Sequence, residues 1–468
     1  MEHPKGVYAI SFIEMWERFS FYIFCGLLVL YMMEVLHFSM SFATLLYGVI
    51  IGSAYFLQLA TGQITDSHLG NRKAIVLGSI LMLTSQLIFA YDASLYRLSL
   101  STPTHSSFIF SAPEIIFLIG VVFLAIGSGF LKVSATSFIT LFYKGQESLM
   151  DAAYTLFYMV FNIGAFFGPL ILGVVVGVHD PSLYQYGFLI GAIANIIGLI
   201  SYFVIKDRYL CSEDGTPLGT NPLYKDIKAE FGDDINRKLS KIEVDRIKAS
   251  LIILIVVIIL CSAIEQINTS MLILVMNYVD NTVPFIHYTL SPQMYISLNP
   301  LFVIILSPIF IKMFSMLNNR DKEPSSIGKM SIGLLSIVIA YIILLIPAYL
   351  SPGKMSMIWM VLFNFTLVIA ELFISPIALS LISKLAPVKH ASLMVGTYYA
   401  STAISAVLAG IFASSFPEKA GVANDLFNII PIPDLAAFLW VFIILAGTLF
   451  IFWTLFRNRI KKLMHGIE

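Results

Sequence analysis

The chain has 468 residues, of which 58% are hydrophobic and only 12% charged, with 28 basic side chains balancing 28 acidic ones. Its mean hydropathy is +0.87. Soluble domains carry about 25% charged residues, so a water-facing surface cannot be built from this inventory, and disorder, collagen, coiled coil and a disulfide scaffold are excluded. The zero net charge gives no basic footprint for nucleic acid. The three cysteines, Cys25, Cys211 and Cys261, cannot make a disulfide framework. The expectation is an all-α polytopic membrane protein, with the lipid bilayer as its surroundings.

A spanning helix needs about 20 mostly apolar residues. Twelve segments qualify in chain order: 8–33, 41–65, 74–94, 114–140, 151–178, 186–205, 249–275, 291–315, 329–350, 356–385, 391–414 and 435–456. The first holds Glu14, Glu17 and Arg18 and lacks a cleavage site, so it is not a signal peptide. One segment, 207–248, is too polar to cross a bilayer. It divides the chain into an N-terminal six-helix bundle (1–206), a cytoplasmic linker (207–248) and a C-terminal six-helix bundle (249–468). Residues 235–248 read equally well as a short amphipathic helix or as a plain connector. With the N-terminus in the cytoplasm, 23 Lys and Arg fall on the cytoplasmic side and 3 outside. That bias predicts cytoplasmic termini.

A charge near the bilayer centre costs roughly 2.5–3.5 kcal/mol on insertion scales. Six ionisable residues lie well inside spans: Glu14, Glu17 and Arg18 in span 1, Lys132 in span 4, Glu265 in span 7 and Glu371 in span 10. Spans 1, 4, 7 and 10 each open a group of three, the pattern of three-helix repeats nested in six-helix halves with a site near the midplane. Glu14, Arg18, Tyr22 and Cys25 share one helical face. Tyr154, Tyr158 and Asn162 form a second stripe in span 5, and Asn364, Glu371 and Ser375 a third in span 10. Span 8 carries Asn299-Pro300 and Ser307-Pro308, and prolines in spans are tolerated where a helix lines a cavity. A static ion-pair network that only fixes helix packing is the alternative. No Walker loop, HExxH or GxSxG is present, and the eight histidines form no metal-spaced cluster. Neither an enzyme nor a cofactor or metal is expected. Uphill transport without a nucleotide site needs an ion gradient.

The segment Glu14-Met-Trp-Glu17-Arg18-Phe19-Ser20-Phe21-Tyr22 resembles the ExxERFxYY signature of the proton-dependent oligopeptide transporters, within the major facilitator superfamily. Gly62-Gln-Ile-Thr-Asp66-Ser-His-Leu-Gly70-Asn-Arg72-Lys73 resembles the superfamily's loop between spans 2 and 3. Gly127-Ser-Gly-Phe-Leu-Lys132, Phe157-Tyr158-Met-Val-Phe-Asn162-Ile-Gly164, Glu265-Gln266, Ser297-Leu-Asn299-Pro300 and Glu371-Leu-Phe-Ile-Ser375-Pro376 are similar to that family's patterns in spans 4, 5, 7, 8 and 10. The resemblance covers nearly the whole chain. It implies the major facilitator fold of twelve transmembrane helices in two six-helix bundles, and a proton-coupled importer of di- and tripeptides working by alternating access.

The resemblance also implies roles. Lys132 and Arg18 hold the peptide carboxylate, while Glu371, Asn162 and Asn299 receive the amino terminus. Tyr22, Tyr55 and Ser375 belong to the pocket. Glu14, Glu17 and Glu265, with Arg18 and Lys132, form the proton machinery, so the proton is the coupling ion. Gly62, Asp66, Gly70 and Arg72 belong to the conformational loop. The implied protein is a monomer in the plasma (inner) membrane. Another small amino- or carboxyl-bearing solute, or a non-transporting receptor or scaffold, are the alternatives. Three pocket positions depart from the family: Cys25 and Cys261 stand where arginine and tryptophan are usual, and Tyr398 where tryptophan is. The extra helix pair between the halves is also absent. Cys25 offers Glu265 no positive charge, which implies a weaker preference for a free C-terminal carboxylate.

Overall fold

The computed structural model describes residues 4–95, 105, 107–142, 150–177, 180–212, 215–221, 239–283, 288–320, 322–350, 354–387, 391–417, 432 and 434–467. Long helices dominate. They are α1 (Lys5–Glu34), α2 (Met40–Ile64), α3 (Asn71–Ser94), α4 (Ala112–Phe142), α5 (Met150–Val176) and α6 (Tyr184–Tyr209). There follow α7 (Lys241–Glu265), α8 (Ser270–Tyr278), α9 (Leu298–Asn318), α10 (Ser326–Leu350), α11 (Ile358–Leu385), α12 (Ala391–Ser414) and α13 (Leu435–Met464). Among the described residues, 11 helical segments are long and apolar enough to cross a membrane. The twelfth span is α1, which carries Glu14, Glu17 and Arg18 within one and a half turns. The all-α, twelve-span expectation holds.

Two details differ from the sequence reading. Span 7 is not one helix. It breaks after Glu265 into a 3-10 turn, Gln266–Asn268, and resumes as α8. The backbone groups freed there are taken up locally: the Gln266 amide donates to the Ser262 and Ala409 carbonyls, and the Thr269 hydroxyl to the Glu265 carbonyl at 3.2 Å. Such internal satisfaction is what permits a broken helix in lipid. The linker is also less loose than its polarity suggests. Residues 241–248 are the first turns of α7, started by a reciprocal capping box between Ser240 and Glu243. Residues 222–238 of the linker, and the basic residues Arg97, Lys144, Lys389 and Lys419, lie outside the described residues.

The chain forms two compact units. Unit 1 comprises residues 1–43, 53–232 and 289–301, and unit 2 comprises 44–52, 233–288 and 302–468. In unit 1, α1 packs against α5 and α6, and α3 against α4 and α6. One core fills the end near the N-terminus, with Val7, Ile10, Ile13, Ile75, Phe138, Phe157, Tyr202 and Leu210 buried together. The other end is an aromatic cluster in which Phe24 and Phe188 flank Phe89, and Phe117 and Phe188 flank Tyr31. In unit 2, α10 packs against α11 and α13, and α12 against α7. Its core stacks Tyr341 on Phe442, with ring centroids 4.5 Å apart, and adds Phe363 and Phe438. Outward, side chains such as Val204, Leu350 and Leu455 stand largely exposed, as a lipid-facing surface requires.

Lipid offers helices no hydrophobic drive to associate, so close backbone packing at small residues does that work. The α1–α5 contact is the clearest case. A Cβ on Gly164 would lie 2.0 Å from the Met15 carbonyl oxygen, and one on Gly168 2.6 Å from that of Phe19. These two contacts fall within and just after the Glu14–Arg18 segment, so α5 fixes its position. Gly164→Ala should therefore force α5 away from α1 and cost about 1–3 kcal/mol as overpacking. Its thermal midpoint in detergent should fall by several degrees, while Gly447→Ala, whose Cβ meets only Val338 at 4.0 Å, should leave it unchanged. Equal midpoints for the two variants would refute the role given to Gly164.

Candidate functional site

Three of the predicted charges meet in one turn of α1. Glu14, Glu17 and Arg18 are all buried, at 1%, 2% and 4% exposure. The Arg18 Nε lies 3.2 Å from the Glu14 Oε1 and also pairs with Glu17. The helical spacing of four brings Glu14 onto the arginine, and Glu17 reaches it from the adjacent position. Lys132 on α4 is close enough to act electrostatically on both carboxylates. Its ammonium stands 4.8 Å from the centre of the Tyr55 ring, a cation–π contact. The Arg18 guanidinium stacks over Phe21 at 5.0 Å, and Tyr22 and Tyr55 both lie within its field. The second oxygens, Glu14 Oε2 and Glu17 Oε1, are buried without a hydrogen-bond partner among the described residues. Unit 1 thus holds a compact site of two acids and two bases, walled by tyrosines.

Asn162 and Asn299 also belong to unit 1. Asn162 is buried, and its amide nitrogen donates to the Tyr158 carbonyl at 2.8 Å. That bond fixes the side chain and leaves the amide oxygen as the acceptor, the polarity an ammonium group needs. Asn299 is partly exposed in the first turn of α9, just after a 3-10 turn, Pro292–Ser297, that packs on α5. There Ser297 donates to the Phe166 carbonyl at 2.8 Å. The side chain of Tyr154 lies outside the described residues.

Glu265, Glu371 and Ser375 fall in unit 2. Glu265 accepts hydrogen bonds from the Tyr47 hydroxyl at 3.2 Å and the Asn268 amide at 3.3 Å. Cys261 sits one turn before Glu265 and lies within the field of both Glu265 and Glu371. Tyr398 on α12 shares a hydrogen bond with Ser375 and faces Cys261 and Glu371. Two of the three departures from the family pattern, Cys261 and Tyr398, therefore join the acidic cluster. The third, Cys25, is buried in unit 1. Asn364, one helical stripe from Glu371, is fully buried and donates to the Met360 carbonyl.

The conformational loop is ordered by backbone geometry. Thr65–Leu69 form a wide π-turn holding Asp66, and Gly70 ends it at a φ of +75° that favours glycine. Gly62 packs against Val133 of α4. Arg72 is a clasp. Its guanidinium donates to the Leu218, Lys206 and Leu210 carbonyls at 2.8, 3.1 and 2.7 Å and pairs with Asp207 at 3.0 Å. Its backbone N–H donates to the Gly219 carbonyl, and its own carbonyl accepts from the Tyr202 hydroxyl. The start of the linker is thereby folded onto unit 1, with Leu210 and Leu218 joining its core.

The structure adds residues that span-centred reading passed over. Tyr47 and Asn268 hold Glu265, as described above. Asp92 and Glu114 are both 1% exposed near the ends of their helices. Asp92 accepts from Tyr31, while Glu114 accepts from the backbone amides of Ile109 and Ser111. No group of three His, Cys, Asp or Glu is placed to hold a metal among the described residues.

Comparison with known proteins bears on the family and the fold. The sequence profile described as Major Facilitator Superfamily matches residues 10–410. The chain is 26% identical to the peptide transporter YePEPT of Yersinia enterocolitica, over 87% of each chain. It is 25% identical to a dipeptide and tripeptide permease B of Aliivibrio fischeri, over 89% of this chain and 88% of that one. A crystal structure of a peptide transporter POT in complex with sulfate superposes with a TM-score of 0.79 at 23% identity, covering 99% of this chain and 96% of that one. A POT family transporter in complex with 5-aminolevulinic acid superposes with a TM-score of 0.78 at 22% identity, covering 98% and 97%. With profile and fold in agreement, the chain belongs to the Major Facilitator Superfamily, within which its motifs resemble those of the proton-dependent oligopeptide transporters.

Proposed function

We propose that the protein is a proton-coupled symporter that imports di- and tripeptides by alternating access, a carrier and not an enzyme. We read it as a monomer in the plasma membrane with both termini in the cytoplasm. The observation that carries this reading is the four-charge site of unit 1. Glu14, Glu17 and Arg18 are buried, the half-buried Lys132 acts on both carboxylates, and each carboxylate has one oxygen without a hydrogen-bond partner among the described residues. A carboxylate beside a lysine is a switch: ionised it pairs with the ammonium, and protonated it releases it. Lys132 and Arg18 then serve a substrate carboxylate, and Glu371 an ammonium group. The relatives named as peptide transporters and permeases support that substrate class.

A second reading keeps the fold and the coupling but changes the solute to another small amino- or carboxyl-bearing molecule. Cys261 and Tyr398 favour it. Both stand against Glu371 where the resembled family has tryptophan, so the acidic end of the pocket has a different shape.

The test of the first reading is reconstitution. Vesicles holding the protein should concentrate a labelled dipeptide when the lumen is negative and the outside acidic, since each charge gains about 2.3 kcal/mol per 100 mV. A protonophore should abolish accumulation and spare exchange. Accumulation that survives collapse of the proton gradient would sink the reading.

Two variants separate the roles. Lys132→Ala removes the base that answers Glu14 and Glu17, so gradient-driven uptake should fall to background while the protein stays folded in detergent. Driven uptake at the wild-type rate would remove Lys132 from the coupling site. Glu371→Gln keeps the shape and removes the charge, and charge-assisted hydrogen bonds are roughly twice as strong as neutral ones. Affinity for a free-amine dipeptide should drop about tenfold, from a difference near 1.4 kcal/mol, and that of its N-acylated analogue should barely change. Equal losses would move Glu371 away from the amine. In the same competition assay, amino acids or amines that outcompete every dipeptide would select the second reading.

A further inference from the structure

The transport chemistry leaves unused a groove on the outside of unit 1, between the start of α3 and the end of α6. Val76, Leu77, Ile80 and Phe203 form its walls, Tyr202 lies within it, and Arg72, Lys73 and Lys206 ring one end. Its volume is about 370 Å³, inside the range of small-molecule sites. The walls are not core. Leu77, Ile80 and Phe203 are each more than a third exposed, and Ile200 and Val204 continue the same apolar surface along α6. In a membrane protein such a surface faces acyl chains.

The charges sit at one end only. Arg72 spends its donors on the linker carbonyls and on Asp207, which is itself 71% exposed. Arg72 therefore shapes the end of the groove. Lys73 and Lys206 remain to face an anion, Lys73 exposed and Lys206 with its ammonium 5.0 Å over the Phe203 ring. Long basic side chains at a helix end lay their stems on apolar surface and hold the charge at headgroup depth. Two lysines above an apolar trough match a molecule with one anionic head and a hydrocarbon tail. A free phosphate ion would use the rim and leave the trough unfilled.

We propose that the α3–α6 groove is a binding site for one anionic phospholipid of the leaflet on the Lys/Arg-rich side, its headgroup on Lys73 and Lys206 and an acyl chain along Val76, Leu77, Ile80 and Phe203. Basic pockets between spans on that side of the membrane are suited to anionic headgroups. Through Arg72 and Tyr202, the site adjoins the clasp that folds the linker onto unit 1. Lipid occupancy is thereby tied to the docking of residues 206–212 and 215–219.

Native mass spectrometry of the full-length protein in a defined detergent tests this without requiring transport, so its outcome is separable from the substrate reading. Phosphatidylglycerol should be retained as a single adduct in preference to phosphatidylcholine. Each lysine at the surface is worth about fivefold, so Lys73→Ala/Lys206→Ala should weaken that retention roughly thirtyfold. Lys461→Ala/Lys462→Ala, which removes two cations from the end of α13, should leave it unchanged. Three outcomes overturn the proposal: equal retention of the two lipids, equal loss in both double variants (a general surface field), or full displacement of the lipid by millimolar inorganic phosphate (a simple anion site).

Discussion

The structure is organised around one constraint: a charge in lipid must find its counter-charge within the protein. In unit 1, two carboxylates and two cations answer one another inside a single contact of α1 and α4, so the cluster is neutral as a whole. The rest of the unit serves to keep it so. Gly164 and Gly168 allow α5 to press its backbone on α1 at Met15, within the cluster, and at Phe19, just after it. Gly129 lets α4 approach Thr61 of α2, three residues from Lys132. Replacing a buried ion network by apolar side chains is often neutral or stabilising, so stability does not require this one. Its retention is better explained by the movement of charge that it allows.

Much of this was legible in the sequence because membranes simplify the code. Length and hydropathy place the spans, since lipid accepts only backbones that satisfy themselves. Intramembrane charges stand out because they are few. Glu14, Glu17, Arg18 and Lys132 could be named from the sequence, and they meet in the structure. What stayed hidden depends on contacts between segments distant in the chain. Tyr47 reaches Glu265 across 218 positions, and neither tyrosine spacing nor hydropathy marks it. The break after Glu265 left no trace in composition, because Gln266, Asn268 and Thr269 are ordinary residues in a long apolar run.

The linker shows the opposite failure. Its polarity correctly keeps it out of the bilayer, yet polarity says nothing about docking. Residues 210, 218 and 219 are held by Arg72, whose donors are satisfied by backbone carbonyls. Carbonyl acceptors exist at every position, so no side-chain pattern announces them. Leu210 and Leu218, the two apolar residues that enter the core, were the only visible signal. The same limit hid Asp92 and Glu114: Asp92 accepts from a tyrosine hydroxyl, and Glu114 accepts from backbone amides and faces His105 at 3.5 Å, contacts that no local pattern announces.

The two units surround their intramembrane acids in different ways. Glu14 and Glu17 lie in the middle of a continuous helix and are met by ions. Glu265 ends a helix, where the unsatisfied carbonyls carry partial negative charge, and Tyr47 and Asn268 bring neutral donors to it. The difference is one of mechanism as well as strength. An ion pair can exchange partners when a proton or a substrate charge arrives, because each carboxylate has a second cation within reach. We therefore propose the Glu14–Lys132 site as one place where charge moves. Cys261 and Tyr398, where the chain departs from the family it resembles, lie beside Glu371, and we propose them as positions that set which solute fits.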